Sequence, residues 1–161
     1  LKLIPQLSRH YINTQTSDKE RIYDTNSAMR IISPQFIGRK NEMVVLVLMD
    51  SKNRVLYCGV VTEGNVNTVP LYIRKIITLA ATYNAAEAII AHNHPSGNVM
   101  PSPGDIIATR KLNAAMETID VHLQDHIIFG YPDYLSMKDC GLLAHILKPE
   151  NQVIQTEEAE Q

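Results

Sequence analysis

The chain has 161 residues, of which 45% are hydrophobic and 20% are charged, and its formal net charge is -2 at pH 7. This length suits one globular domain with flexible ends, and the charge gives no sign of the strongly basic surface that is typical of nucleic-acid binding. The longest apolar run, Met43 to Met49, is far shorter than the roughly 20 residues that cross a bilayer. Cys58 and Cys140 are far apart and have no CxxC spacing, so we expect reduced thiols in a cytoplasmic protein without a membrane partner.

Strands and helices are predicted to alternate through the middle of the chain. The first element is a short helix that is capped by Thr25 or Asn26 and ends at Ser33 and Pro34. After it, β-branched runs predict buried strands, and apolar residues at three- and four-residue spacing predict helices. The later predictions are largely buried strands at 42–50 and 54–62, a helix at 70–83, a strand at 86–94, a helix at 103–118, a strand at 121–129, an edge strand at 134–137 and a small helix at 142–146.

This order of elements predicts an α/β fold. Alternating strands and helices imply a mixed β-sheet with helices packed on its faces. The ends of the chain differ from this pattern. Residues 1–20 have no sustained periodicity, and residues 148–161 are acidic and poor in core residues, so we predict a lead-in segment and a disordered tail.

The stretch IIAHNHPSGNVMPSPGD, residues 89 to 105, holds two histidines one residue apart. Alternate side chains of a strand point to the same face, so His92 and His94 project together and can share one metal ion. The alternative is that both are ordinary polar residues at the end of a strand. Their spacing alone leaves both interpretations open.

A serine, a proline and an aspartate begin the helix that follows. Ser102 is a good N-cap, Pro103 suits the first helical position, and Asp105 at the third position completes a capping box. A carboxylate in this first turn can also face the neighbouring strand end and bind a metal ion. Two histidines and one carboxylate leave the fourth position of a zinc ion to water, which is the arrangement of catalytic rather than structural zinc sites.

A catalytic zinc site also needs a base that accepts a proton from the activated water. Glu42, which precedes the apolar run, is the candidate, and the alternative is a solvated carboxylate at the start of a strand. Glu63, in a loop, and Glu87, on the approach to the histidines, are weaker candidates. Asp125 and His126 are adjacent on a strand and point to opposite faces, so they cannot bind one ion together. Either one of them orients a zinc-bound imidazole, or both are satisfied polar residues of the core or its rim.

The spacing of these residues resembles the JAMM motif of the JAB/MPN domain metallopeptidases, which is an upstream glutamate, His-x-His, seven residues, a serine, two residues and an aspartate. The stretch AHNHPSGNVMPSPGD, followed later by LQDHIIFG, is similar to the RadC-like branch of that family. The resemblance predicts a RadC-like JAB/MPN domain at 21–147, between the lead-in at 1–20 and the tail at 148–161. The matching positions are Glu42, His92, His94, Ser102 and Asp105.

The resemblance implies a three-layer fold, a mixed β-sheet flanked by helices, like that of the cytidine deaminases. It implies a zinc ion held by His92, His94 and Asp105, with Glu42 as the general acid and base. The Ser102 hydroxyl would hold the water or the developing oxyanion. The implied activity is that of a hydrolase, a metallopeptidase or isopeptidase, acting on a peptide or protein. Nucleic acid is a partner only through the DNA-repair name of the family, and the start of the chain does not resemble the helix-hairpin-helix region that RadC-like proteins often carry.

Three other functions stay open at the level of the sequence. Many MPN domains lack the metal ligands and serve as non-catalytic interaction modules, although the full ligand set argues against this here. Nucleobase deaminases share the fold, but they place HxE and PCxxC in their site, and neither cysteine has such a context. A DNA-repair-associated factor without independent peptidase activity would show salt-dependent DNA binding.

Overall fold

Strand β1 is the uninterrupted apolar run Met43–Met49, and all seven of its residues are buried. A strand buries both of its faces only when both faces of its sheet are covered. The computed structural model describes residues 20–64 and 69–148, and in it a five-stranded sheet lies between helices on both sides. The elements in chain order are α1 (Thr25–Ile32), a 3-10 turn (Ser33–Gln35), β1 (Met43–Met49), β2 (Val55–Glu63), α2 (Val69–Thr82), β3 (Glu87–Asn93), α3 (Pro103–Glu117), β4 (His122–Gly130), β5 (Asp133–Ser136) and α4 (Leu142–Ile146).

The order of the strands in the sheet is β2-β1-β3-β4-β5. Neighbouring strands are antiparallel except β3 and β4, which are parallel and are connected through α3. In the register of the central strands, His92 at the end of β3 pairs with Val44 near the start of β1 and with Ile128 near the end of β4. The start of β1 therefore lies beside the end of β3, which brings two distant parts of the sequence to one edge of the sheet.

Alternate residues of β1 pack into two separate apolar cores, one on each side of the sheet. Val44, Leu46 and Leu48 pack in the core that α2, α3 and α4 cover. Val45 and Val47 pack in the core that α1 covers. The mixed sheet between two helical layers confirms the α/β fold class that the sequence predicts.

The bounds of the elements agree with the predictions within two residues, but two details of the predictions are wrong. The N-cap of α1 is Asp24, not Thr25 or Asn26, because Asp24 is extended and its Oδ1 accepts a hydrogen bond of 2.7 Å from the backbone N–H of Ser27. Strand β2 is not largely buried, since Val61 is its one fully buried residue. The reason is its place at the edge of the sheet.

Two predicted segments lie almost entirely outside the described residues. These are the lead-in at 1–20 and the acidic tail at 148–161, of which the structure describes only residues 20 and 148. Within the described ranges, none of the helices combines the length and the apolar character that crossing a membrane requires.

The position of Leu46 in the middle of β1 leads to a prediction about stability. Its side chain is fully buried, so the Leu46→Ala substitution removes apolar contacts and leaves a cavity. We expect the free energy of unfolding to fall by about 2–5 kcal/mol in urea denaturation. Ile107→Ala, on an exposed position of α3, is the matched control and should change it by less than about 0.5 kcal/mol. Equal effects of the two substitutions would contradict the assignment of β1 to the core.

Candidate metal centre

The two histidines of the His-x-His pair lie at the carboxyl end of β3 and face the same side of the sheet. The Nε2 atoms of His92 and His94 are 2.9 Å apart. His92 is buried, whereas His94 follows the strand and is partly exposed. The backbone N–H of His94 still donates to the carbonyl of Phe129 at 2.8 Å, so the pairing with β4 continues past the last residue of β3. The strand geometry that the sequence predicts for the two imidazoles is therefore present.

The ring of His94 is held by a hydrogen bond on its other nitrogen. Its Nδ1 lies 2.6 Å from the backbone carbonyl of Asn98, in the loop between β3 and α3. A carbonyl oxygen can only accept, so Nδ1 carries the proton, and in the neutral ring Nε2 presents a lone pair. This arrangement is typical of a histidine that binds a metal ion through Nε2.

Asp105 uses its two carboxylate oxygens for two different tasks. Oδ2 accepts hydrogen bonds of 2.7 Å from both the backbone N–H and the hydroxyl of Ser102, which completes the predicted capping box at the start of α3. Oδ1 lies 3.2 Å from Nε2 of His92. The carboxylate therefore caps the helix and faces the histidines at the same time, so the structural and the functional interpretations of this residue are compatible.

The charge state of Asp105 follows from its neighbours. Partial burial by itself raises the pKa of this carboxyl, but the interaction with His92 when that ring is protonated, together with the hydrogen bonds from Ser102, outweighs it. The net result is a pKa below the ordinary value of 3.8. Asp105 is thus an anion at neutral pH, as a metal ligand must be.

Glu42 immediately precedes β1 and reaches the same edge of the sheet. One oxygen of its carboxylate belongs to a group of four donor atoms, from Glu42, His92, His94 and Asp105, that all lie within 4.8 Å of one another. Its backbone is held in place by a residue between the two histidines, since the side chain of Asn93 accepts from the N–H of Met43 at 2.8 Å and donates to the carbonyl of residue 41 at 3.1 Å. The two halves of the motif are therefore tied together through the opposite face of β3.

The other two glutamates that the sequence offered as bases lie elsewhere and have other partners. Both oxygens of Glu63 accept hydrogen bonds of 2.9 and 3.0 Å from the guanidinium of Arg39. Glu87 lies at the start of β3, at the far end from the histidines, where its carboxylate is 2.9 Å from Nδ1 of His122. In the described part of the chain, neither belongs to the group of metal-binding donors.

The distances among the donor atoms fit a small tetrahedral cation. Ligand atoms about 2.0–2.1 Å from a tetrahedral zinc ion lie about 3.3–3.4 Å from one another. The Nε2 atoms of His92 and His94 are 2.9 Å apart, Oδ1 of Asp105 lies 3.2 Å from Nε2 of His92, and Oδ2 of Asp105 lies 3.5 Å from Nε2 of His94. Two imidazoles and a carboxylate at these distances can hold a metal ion.

Of the adjacent residues Asp125 and His126, it is the buried imidazole of His126 that lies behind His92. Nδ1 of His92 lies 2.8 Å from Nε2 of His126, and Nδ1 of His126 lies 2.6 Å from the hydroxyl of Thr109 on α3. Burial lowers the pKa of His126 well below 6.5, so its ring is neutral at neutral pH. Asp125 points the other way, where its carboxylate accepts a hydrogen bond from Ser136.

Thr109 was not found by the sequence analysis, although a signal was available. It lies four residues after Asp105, and positions four apart in a helix share a face. Thr109 lies one helical turn after the candidate ligand Asp105, on the face that packs against the strand of His126. It was therefore a candidate for contact with the centre. Nothing comparable in the sequence indicated the carbonyl of Asn98, because every residue has one.

Three residues of the donor group, Glu42, His92 and Asp105, line a cavity of about 310 Å³. Glu42, Ser102 and Asp105 lie on its polar side, and its apolar wall includes Val44 and Ile90. Tyr72 of α2 also lines the cavity, and its burial, with the charge of Asp105, raises the pKa of its hydroxyl to about 12. The cavity therefore adjoins the carboxylates of Glu42 and Asp105 and the ring of His92.

Comparison with known proteins gives the same family as the motif. The model of the RadC-like JAB domain matches residues 22–142. The chain is 34% identical over 143 residues to a UPF0758 protein of Idiomarina loihiensis and 31% identical over 143 residues to one of Pseudoalteromonas translucida. A UPF0758 protein of Saccharophagus degradans is 28% identical over 141 residues.

These alignments cover most of this chain but not most of the relatives. They include 89%, 89% and 88% of the chain, and 64%, 64% and 63% of the three relatives. The chain therefore spans a little less than two thirds of the length of these relatives, and about a third of each relative lies outside the alignment. Since the family model spans the five strands and the four donor residues, the chain belongs to the RadC-like JAB domain family.

Proposed function

We propose that this domain is a zinc-dependent hydrolase of the JAMM type, a metallopeptidase or isopeptidase that cleaves an amide bond of a peptide or protein. The observation that carries the proposal is the convergence of donor atoms from Glu42, His92, His94 and Asp105 beside a cavity. Three protein ligands are the number found at catalytic zinc sites. The fourth carboxylate is then available for proton transfer.

The proposed ligands are His92, His94 and Asp105. Two imidazole nitrogens and one carboxylate oxygen form a donor set that catalytic zinc sites use, which is why zinc is the ion we propose. When bound, zinc would supply Lewis acidity that polarises an amide carbonyl and lowers the pKa of a water molecule to about 7. The hydrogen bond that Nδ1 of His94 donates to the carbonyl of Asn98, and the one that Oδ2 of Asp105 accepts from Ser102, hold the rings and carboxylate that would bind the ion.

Glu42 is the proposed general base and acid. Its carboxylate accepts a proton from the attacking water as the new carbon–oxygen bond forms, and delivers it to the amide nitrogen as the carbon–nitrogen bond breaks. The hydrogen bonds of Asn93 to the residues on either side of Glu42 fix the backbone from which this carboxylate reaches the cavity. Precise placement of this kind is what general acid and base catalysis requires.

Ser102 is proposed to help hold the attacking water. Its hydroxyl donates its one proton to Oδ2 of Asp105 and accepts from the backbone N–H of Asp105 at 3.2 Å, which leaves one lone pair for a hydrogen bond from water. Donating to a developing oxyanion, the other role that the resemblance implies, would require the proton to leave Asp105. The geometry therefore favours the first role over the second.

Zinc binding is the first prediction of this function. Protein purified without chelators should hold a single zinc ion per chain, measured by plasma mass spectrometry, and His94→Ala should lose it because one of three ligands is gone. His122→Ala is the matched control, since the side chain of His122 is exposed and its ring lies against Glu87, at the far end of β3 from the donor group. A wild-type protein that takes up no zinc even when it is added would contradict the proposal and favour a non-catalytic interaction module.

The role of Glu42 leads to a second prediction. Glu42→Gln should retain zinc but lower kcat/KM for amide hydrolysis by about 10²–10⁴-fold, because an amide cannot accept the proton. The assay is mass spectrometry of a defined peptide mixture before and after incubation. Glu87→Gln, which changes a glutamate at the far end of β3, should leave both zinc content and activity unaltered. If Glu42→Gln loses the metal instead, Glu42 is a ligand and its assignment as the base is wrong.

A further inference from the structure

A chain of three hydrogen bonds runs from α3 through the core to His92. The hydroxyl of Thr109 donates to the backbone carbonyl of Asp105 at 2.6 Å, and the same oxygen lies 2.6 Å from Nδ1 of His126. Nε2 of His126 then lies 2.8 Å from Nδ1 of His92. Thr109, His126 and His92 are all at least 96% buried, so no bulk water competes for these contacts.

The direction of each hydrogen bond follows from the first. A hydroxyl has one proton, and the carbonyl of Asp105 can only accept, so the proton of Thr109 lies between these two oxygens. The hydroxyl oxygen must then accept from its other neighbour. Nδ1 of His126 is therefore the protonated nitrogen of that ring, since two lone pairs 2.6 Å apart would repel each other.

The second ring transmits this direction to the metal centre. A neutral imidazole has one N–H. The buried ring of His126 is hydrogen-bonded to Thr109 and His92, neither of which is an anion, and it has used its N–H for Thr109, so its Nε2 can only accept. The proton between the two rings must come from Nδ1 of His92. In the neutral ring of His92, Nε2 is then left with a lone pair that faces His94 and Asp105.

We propose that Thr109 and His126 are positioning residues that set the tautomer and orientation of His92, so that its Nε2 lone pair is directed at the metal ion. The inference rests on the proposed zinc site. His94 obtains the same tautomer directly from a carbonyl, that of Asn98. His92 faces another imidazole, which can donate or accept at either nitrogen, and the Thr109 hydroxyl removes that ambiguity.

The tautomers can be observed directly. Two-bond nitrogen–proton correlation NMR spectra of protein with ¹⁵N-labelled histidine should show His126 protonated on Nδ1 and unprotonated on Nε2, with and without zinc. His92 should carry a proton on Nδ1 in both states. A proton on Nε2 of His126 would overturn the proposal, whatever the protein proves to bind.

The Thr109→Val substitution tests whether the hydroxyl of Thr109 sets the tautomer of His126. Valine has almost the shape of threonine but no hydroxyl, so His126 loses the acceptor that holds its proton on Nδ1. We expect zinc affinity, measured by competition with a chromogenic chelator, to fall by about 10–100-fold. Thr109→Ser keeps the hydroxyl and should retain affinity within about threefold of wild type. The NMR spectrum of Thr109→Val should show a mixture of His126 tautomers or the Nε2–H form.

The outcomes separate this proposal from the proposed function. If Thr109→Val binds zinc as tightly as wild type and His126 keeps its tautomer, the role of Thr109 is overturned while the zinc site stands. If the wild-type protein binds no zinc, the proposed function fails, and the His126 tautomer in the metal-free protein still tests the hydrogen-bond chain. Thermal unfolding of each metal-free variant shows whether the variant is folded. If Thr109→Val does not fold, the NMR spectrum of the wild-type protein still decides the proposal.

Discussion

The candidate metal centre depends on side chains that each direct one acceptor atom at a common point while their other polar atom is hydrogen-bonded elsewhere. Nε2 of His94 is free because Nδ1 donates to a carbonyl, and Oδ1 of Asp105 is free because Oδ2 accepts from Ser102. The proposed chain through His126 leaves Nε2 of His92 in the same condition. Lone pairs and a negative charge within 3.5 Å of one another repel unless a cation lies between them. The hydrogen bonds that surround the centre therefore favour the binding of a cation.

The fold supplies this convergence through the order of its strands. Strand β3 lies between β1 and β4, so its carboxyl end meets the beginning of one and the end of the other. Glu42, 50 positions before His92 in the chain, reaches the histidines because β1 is antiparallel to β3. Helix α3 connects β3 to β4 on the same face and begins with Asp105 in its first turn. Four donors thus come from three elements, each of which is anchored in the apolar core.

The proposed chemistry divides the site into two parts with different physical demands. Ligand atoms must be rigid, and His92 meets this demand through burial and Asp105 through helix capping. The base must reach the substrate, and Glu42 lines the cavity with a partly exposed side chain while Asn93 holds its backbone from the far side of the sheet. The relatives are longer than the region they share with this chain.

The sequence by itself determined the α/β class and the bounds of nearly every described element, because the patterns of apolar residues in strands and helices are local. It also gave the residues of the motif, because His92, His94, Ser102 and Asp105 lie within one strand, the loop after it and the start of the next helix. It favoured Glu42 over Glu63 and Glu87, but the antiparallel pairing of β1 with β3 is what brings Glu42, and neither of the other two, to the histidines. It placed the cap of α1 one or two residues late, since adjacent polar residues compete for that position and the extended backbone of Asp24 decides. It left the role of His126 undecided and did not reveal Thr109, because hydrogen bonds between a helix and a neighbouring strand depend on how the two pack. Tertiary structure alone decided which polar atoms are engaged, and therefore which lone pairs remain to face a metal ion.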